Sequence, residues 1–349
     1  MTPTMLHMRE LLKHAYDHPD QRAVFYSANG ALTGSSRLNN MECWDWSVAP
    51  AATPASGGST CLVPLAFGAP PKPLNDGREW IEPLITDAAQ VKDIQAPDVW
   101  SGRTGAVLRE IEQLCQGLPP ETQVREPDIQ SPLGIAELMW DESFYVALVE
   151  EPDAVHELLD KITDFQIAFV TEIHRVAGAR LNAAGFPPIW ADERGTMVSD
   201  DTMSLISPSM HREFSLPYVN RLADACGPLF YHSCSWRRAY FGNIHSIHNV
   251  RAYNWNPGNS DDPAVVIREF SGRAVLTPFL TLGMHRDKDL IAAGLRFYDE
   301  VDLLRYLLDA VQPDTCLMLW FSNVVQDGAL IDRIYDLLQE RGLTPSQRL

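Results

Sequence analysis

From about residue 120 to the C-terminus, short apolar runs alternate with longer amphipathic stretches, and this alternation limits the folds open to the chain. Glu121 to Ile129, Pro188 to Ala191, Gly227 to Tyr231, Val250 to Trp255, Ala274 to Leu280 and the run opened by Cys316 read as strands. Helical patterns separate them. Glu151-Pro152-Asp153 starts a long helix reaching about Gly178, with Val155, Leu158, Leu159, Ile162, Phe165 and Phe169 on one face. Ser207-Pro208 opens another as N-cap and first helical residue, and it runs to about Cys226 with a kink or break at Pro217. Further helices are expected over 263–270, 287–310 and 328–342. Strands that alternate with helices pair in parallel, because each crossover returns the chain to the same end of the sheet. So many units in 349 residues predict an α/β protein, a single (β/α)8 TIM-type barrel. Residues 1–75 would form an N-terminal cap and loop, and 76–349 the main barrel. Before residue 120 the pattern suggests a helix over 4–17, a strand from Ala23 to Ser27, and an Asn29-Gly30 turn. Residues 41–75 look irregular, and 78–95 and 103–117 helical.

Barrel active sites lie at the C-terminal ends of the strands. His232 and Cys234 end one predicted strand, two residues apart and hence on one face. Imidazole nitrogen and thiolate sulfur are good zinc ligands. Cys316 is the candidate third ligand, provided the fold brings the start of its apolar run to the same place. The bland alternative is a core cysteine beside a satisfied histidine. Asp192, Glu193, Asp200 and Asp201 follow the Pro188–Ala191 run in loop sequence. Glu193 and Asp201 are the candidate catalytic carboxylates, and with His245 the candidate fourth ligands. Asp201 has a competing reading as a turn cap. Trp44, Trp46, Tyr253 and Trp255 are candidates for an aromatic pocket suited to a methylammonium group. Tyr253 and Trp255 are taken as the cofactor contacts, against the alternative that each is ordinary core.

Composition narrows the partners. The formal net charge is −18, from 46 acidic and 28 basic residues, and no basic patch stands out. Nucleic acid and anionic membranes both require one, so neither is expected as a partner. The apolar runs are too short and too charged to span a bilayer, and no signal peptide is recognisable at Met1-Thr2-Pro3. The six cysteines are scattered without a CxxC pair. That pattern suits the reducing cytoplasm, where this protein is expected, better than a disulfide framework.

Three stretches resemble the uroporphyrinogen decarboxylase superfamily. They are Ser131-Pro132-Leu133-Gly134 through Leu158-Leu159, then Asp200-Asp201 with Ile206-Ser207-Pro208 and Pro217-Tyr218, and lastly His232-x-Cys234 with the distant Cys316. The third is similar to the zinc-dependent methyltransferase branch, which includes methylcobalamin:coenzyme M methyltransferases. The resemblance implies a barrel enzyme that moves a methyl group between a corrinoid and a small acceptor such as a thiol. It implies zinc held by His232, Cys234 and Cys316, with Asp201 as a pocket carboxylate. Corrinoid-binding modules carry an Asp-x-His-x-x-Gly loop, and none of the ten histidines has Asp two residues before it. The corrinoid would therefore arrive in trans, free or on a separate protein. The alternatives are a metal-free decarboxylase or lyase of the same superfamily, or a demethylating enzyme for a methylamine or methoxy compound. A polycarboxylate porphyrinogen calls for clustered arginines, whereas Arg22 and Arg37 stand alone in the N-terminal part.

Overall fold

The computed structural model describes residues 3–28, 51–57, 60–75, 79–183, 191, 195–281, 284–322 and 328–341. The strands are β1 (Ala23–Ala28), β2 (Ala51–Ala52), β3 (Pro71–Pro73), β4 (Glu79–Ile81), β5 (Gln123–Arg125), β6 (Leu181–Asn182), β7 (Thr196–Ser199), β8 (Leu229–Ser233), β9 (Val250–Trp255), β10 (Val275–Thr281) and β11 (Cys316–Ser322). All pair in parallel except the β3–β4 hairpin. One sheet runs in the order β1-β11-β10-β9-β8-β7, with the first strand beside the last, as barrel closure requires. A second runs β2-β5-β6. The chain leaving β5 continues to Gln130, which bridges Ser199 at the end of β7. β6 and β7 thus share one strand position, and the nine parallel pieces among the described residues fill the eight positions of a (β/α)8 TIM-type barrel.

The helices are α1 (Pro3–Asp17), α2 (Leu62–Ala66), α3 (Gly102–Gly117), α4 (Pro132–Met139), α5 (Phe144–Glu150), α6 (Pro152–Ala177), α7 (Pro208–Phe214), α8 (Leu216–Cys226), α9 (Phe241–Ile244), α10 (Pro263–Phe270), α11 (Lys288–Ala292), α12 (Glu300–Asp309) and α13 (Gly328–Glu340). Among the described residues no helix is long and apolar enough to cross a membrane. The long α6 shows why the pattern was readable. Pro152 sits in its first turn with Asp153, His174 and Arg175 lie in its last, and every residue of the expected stripe is buried. The helix expected over 207–226 is two. α7 ends at Phe214, and α8 restarts at Leu216 with Pro217 in its first turn, where the missing N–H costs nothing.

Three expectations needed correcting. Residues 1–75 are more than cap and loop, since β1 and β2 fill two of the barrel positions. The helix expected over 78–95 is absent from the described residues 79–95: 79–81 are β4, and 88–93 form 3-10 turns started by Asp87, whose side chain makes a capping box with Gln90. The strand expected at 188–191 falls, except for Ala191, outside the described residues. Thr196–Ser199, expected as loop sequence, is a fully buried strand. At the N-terminal end of the barrel α1 packs Leu12, Ala15 and Tyr16 into the strand core, with Tyr16 edge-on to Phe230, ring centroids 5.8 Å apart.

A candidate metal centre at the barrel mouth

Strand pairing lines up one row of side chains across the barrel. Gln130 bridges Ser199, Ser199 pairs with His232, His232 with Asn254 and Asn254 with Thr277. All five are polar. Two residues earlier on β8, β9 and β10, the corresponding positions are Phe230, Ala252 and Val275, which are buried and apolar. Because alternate side chains face opposite sides of a strand, this row holds the last inward-facing residues of β7, β8 and β9. A polar layer above an apolar one marks where the packed barrel interior gives way to a site.

Three potential ligands converge just above this row. An Asp201 oxygen, an imidazole nitrogen of His232 and the Cys234 sulfur all lie within 4.8 Å of one another. His232 Nε2 is 3.3 Å from Cys234 Sγ and 3.6 Å from Asp201 Oδ1. Asp201 Oδ1 accepts from the backbone N–H of Cys234 at 2.6 Å, which ties the turn after β7 to the end of β8. Carboxylate oxygen, imidazole nitrogen and thiolate sulfur suit zinc, and three protein ligands leave one position for substrate. The donor set therefore fits the metal the resemblance implies. Packing around the sulfur, and then the negative charges of Asp201 and Asp128, push the Cys234 thiol up to about 12. Without a cation this cysteine stays protonated near neutral pH, which argues against a free nucleophile. Asp128, half-buried and inward-facing, accepts from Ser199 Oγ at 3.3 Å and from Gln130 Nε2 at 3.1 and 3.2 Å. Burial raises its carboxyl above the usual range.

Asp200 faces the other way, into the layer between strands and helices. It is fully buried. It accepts from Ser131 Oγ (2.7 Å), Ser215 Oγ (2.8 Å), His211 Nε2 (3.0 Å) and the Tyr231 hydroxyl (3.1 Å). Burial alone would raise its carboxyl; the hydrogen bond and charge of His211 and the two serine hydroxyls outweigh it, and the group stays low. Its backbone N–H donates to the His232 carbonyl at 2.8 Å. Asp200 is thus a buried post that anchors α4, α7, α8 and β8 to the turn carrying Asp201.

Of the expected site residues, the structure brings together His232, Cys234 and Asp201. Cys316 is not with them. It is the first residue of β11, fully buried, and by pairing through β10 and β9 it stands level with Phe230. Cys234 lies four residues further on, about 13 Å along the strand direction alone. The carboxylate of Asp201 takes the third place instead. Tyr253 and Trp255 are also corrected. They flank the inward Asn254 and so face outward, where they pack on Trp236, Tyr253 also meeting Phe270 of α10. They are core, and no cofactor contact. His245 pairs with Glu269 at 2.8 Å on the helical layer and takes no part. Glu193, Trp44 and Trp46 lie outside the described residues. Sequence reasoning missed Asp128, Asn254 and the role of Asp200, because strand register decides which of these side chains faces the mouth.

Residues 60–256 match the family described as uroporphyrinogen decarboxylase (URO-D). A curated protein from Xanthomonas axonopodis pv. citri (strain 306), described as uroporphyrinogen decarboxylase, is 36% identical over 72 residues. That match covers 21% of this chain and spans only 16% of the relative's length. Among solved structures, a methyltransferase from Methanosarcina mazei superposes with a TM-score of 0.58 at 13% identity, covering 81% of this chain and 79% of that one. At that identity the likeness concerns the fold.

Proposed function

The chain belongs to the uroporphyrinogen decarboxylase family, and on that premise we propose that it is a zinc-dependent methyltransferase moving a methyl group between a corrinoid and a thiol or similar small acceptor. The observation that carries this reading is the convergence of Asp201, His232 and Cys234 at the barrel mouth. These three side chains would hold the metal, and one carboxylate with one thiolate would offset its two charges. Zinc bound there would lower the pKa of a substrate thiol so that a thiolate is available near neutral pH. The protein's own part is positional. The Cys234 N–H holds Asp201 in place, Asp200 anchors the turn beneath it, and the apolar layer of Phe230, Ala252 and Val275 closes the floor. The Asp201 carboxylate would repel a polycarboxylate substrate, which favours methyl transfer over the decarboxylase reading. With no corrinoid-type Asp-x-His motif at any histidine, the methyl donor would come free or on a separate protein.

Metal analysis of protein purified without chelator tests the site. About one zinc per chain is expected in wild type and in Cys316→Ala, with loss in Cys234→Ala and Asp201→Ala. Undiminished zinc in Cys234→Ala, or its loss only in Cys316→Ala, would overturn the assignment. A methyl-transfer assay with methylcobalamin and a panel of thiols tests the reaction. No transfer to any thiol by the zinc-loaded wild type would sink the acceptor class.

A further inference from the structure

We propose that Asn254 is a positioning residue that locks His232 in the Nδ1–H tautomer, so that Nε2 presents its lone pair to the site. This rests on the proposed metal centre only in identifying Nε2 as the ligand atom; the hydrogen-bond argument itself needs no metal.

The chain of reasoning starts on β10. The carbonyl of Thr277 can only accept, and the side chain of Asn254 lies against it, donating through Nδ2. An amide turned the other way would set oxygen against oxygen. Oδ1 of Asn254 therefore faces β8, 2.6 Å from His232 Nδ1. That oxygen also can only accept, so Nδ1 must carry the proton. A neutral imidazole has one N–H, which leaves Nε2 bare. The Asp201 oxygen is 3.6 Å from Nε2, beyond hydrogen-bond distance. That same oxygen is instead satisfied by the Cys234 N–H at 2.6 Å. The Cys234 sulfur, 3.3 Å from Nε2, can give its thiol proton to the lone pair.

The device is rigid at both ends. Asn254 and Thr277 are buried, 2% and 0% exposed, and the Thr277 hydroxyl donates to the Tyr253 carbonyl at 3.0 Å. His232 is held through its own carbonyl by the Asp200 N–H at 2.8 Å. Three adjacent strands thus fix the proton on Nδ1 through an amide rather than a carboxylate. An amide in this place gives orientation without the added negative charge that a carboxylate partner would bring.

The test uses metal-free protein labelled with 15N-histidine at pH 8, where long-range 1H–15N correlations distinguish a protonated ring nitrogen from a bare one. The His232 signals are identified by their absence in His232→Gln. Wild type is expected to show a protonated Nδ1 and a bare Nε2. Asn254→Leu, which removes the acceptor at similar volume, is expected to lose that preference. Zinc affinity is expected to fall 10–100-fold in Asn254→Leu. A bare Nδ1 in wild type, or an unchanged tautomer in Asn254→Leu, would overturn the proposal. The wild-type spectrum decides the point even if a variant does not fold. If the tautomer is as expected but wild type binds no zinc, the proposed function fails and the role of Asn254 stands.

Discussion

Cys234 and Cys316 show how much a residue's chemistry depends on its surroundings. Both thiols are pushed up to about 12, Cys316 by burial alone and Cys234 by packing together with two nearby carboxylates. The carboxylates and imidazole that hold the Cys234 proton in place would equally help to hold a cation. Cys316 lies fully buried in the apolar core, so Cys316→Ala is expected to cost stability and leave metal content alone. Glu126 is a second buried acid with a measurable consequence. It accepts from the Met197 N–H at 2.8 Å and the Thr196 hydroxyl at 2.7 Å, yet burial raises its carboxyl to about 8. The unfolded chain releases this proton above about pH 4.5, while the folded chain keeps it to about pH 8. The unfolded state therefore binds fewer protons in that window, and stability contributed by the neutral acid is lost as pH rises through it. Glu126→Gln keeps an acceptor for Met197 and cannot ionise. Urea unfolding at pH 5 and pH 8 is expected to show the variant gaining on wild type with pH, by at most about 4 kcal/mol. Parallel profiles for the two proteins would show that Glu126 is already ionised in the fold.

At the level of elements, the critical junction is the entry to β7. Gly195 has φ +108°. A Cβ there would lie 2.2 Å from the Pro228 carbonyl oxygen, which accepts from the Thr196 N–H at 3.1 Å. The chain can approach β8 this closely only without a side chain. Gly195→Ala is expected to destabilise by about 2–4 kcal/mol in thermal or urea unfolding and to lower zinc content, because β7 sets the position of Asp201. Ser207→Ala is the matching control. Its hydroxyl caps α7 at the Met210 N–H, 3.2 Å away, so about 1 kcal/mol is expected with metal content unchanged. Equal effects of the two substitutions on zinc would mean that β7 has no special place in the site.

Across the whole molecule, stability and chemistry lie at opposite ends of the barrel. Tyr16 of α1 packs edge-on against Phe230 below, and Arg251 lies over its ring at 5.3 Å from the centroid. His232 stands two residues above Phe230 on the same strand face. Tyr16→Ala is expected to cost about 3 kcal/mol of folding stability and to leave zinc affinity within error, since distant sites with no shared partner act independently. A matching loss of metal affinity would show that the floor and the mouth move together.

Local patterning determined much of this by itself. The alternation of runs, the α6 stripe, the Ser207-Pro208 start and the break at Pro217 all act over a few residues, and all survive in the fold. His232-x-Cys234 was legible for the same reason, since two residues on one strand share a face. What local pattern could not supply was register. Whether Cys316 opens or closes a strand, whether residue 253 or 254 faces inward, and which of Asp200 and Asp201 reaches the mouth all depend on how strands pair across the barrel. A shift of one residue in that pairing turns each side chain to the opposite face. Only the assembled sheet, with Ser199, His232, Asn254 and Thr277 locked in one row, decided that Asp201 lies beside His232 and Cys234 and Cys316 does not.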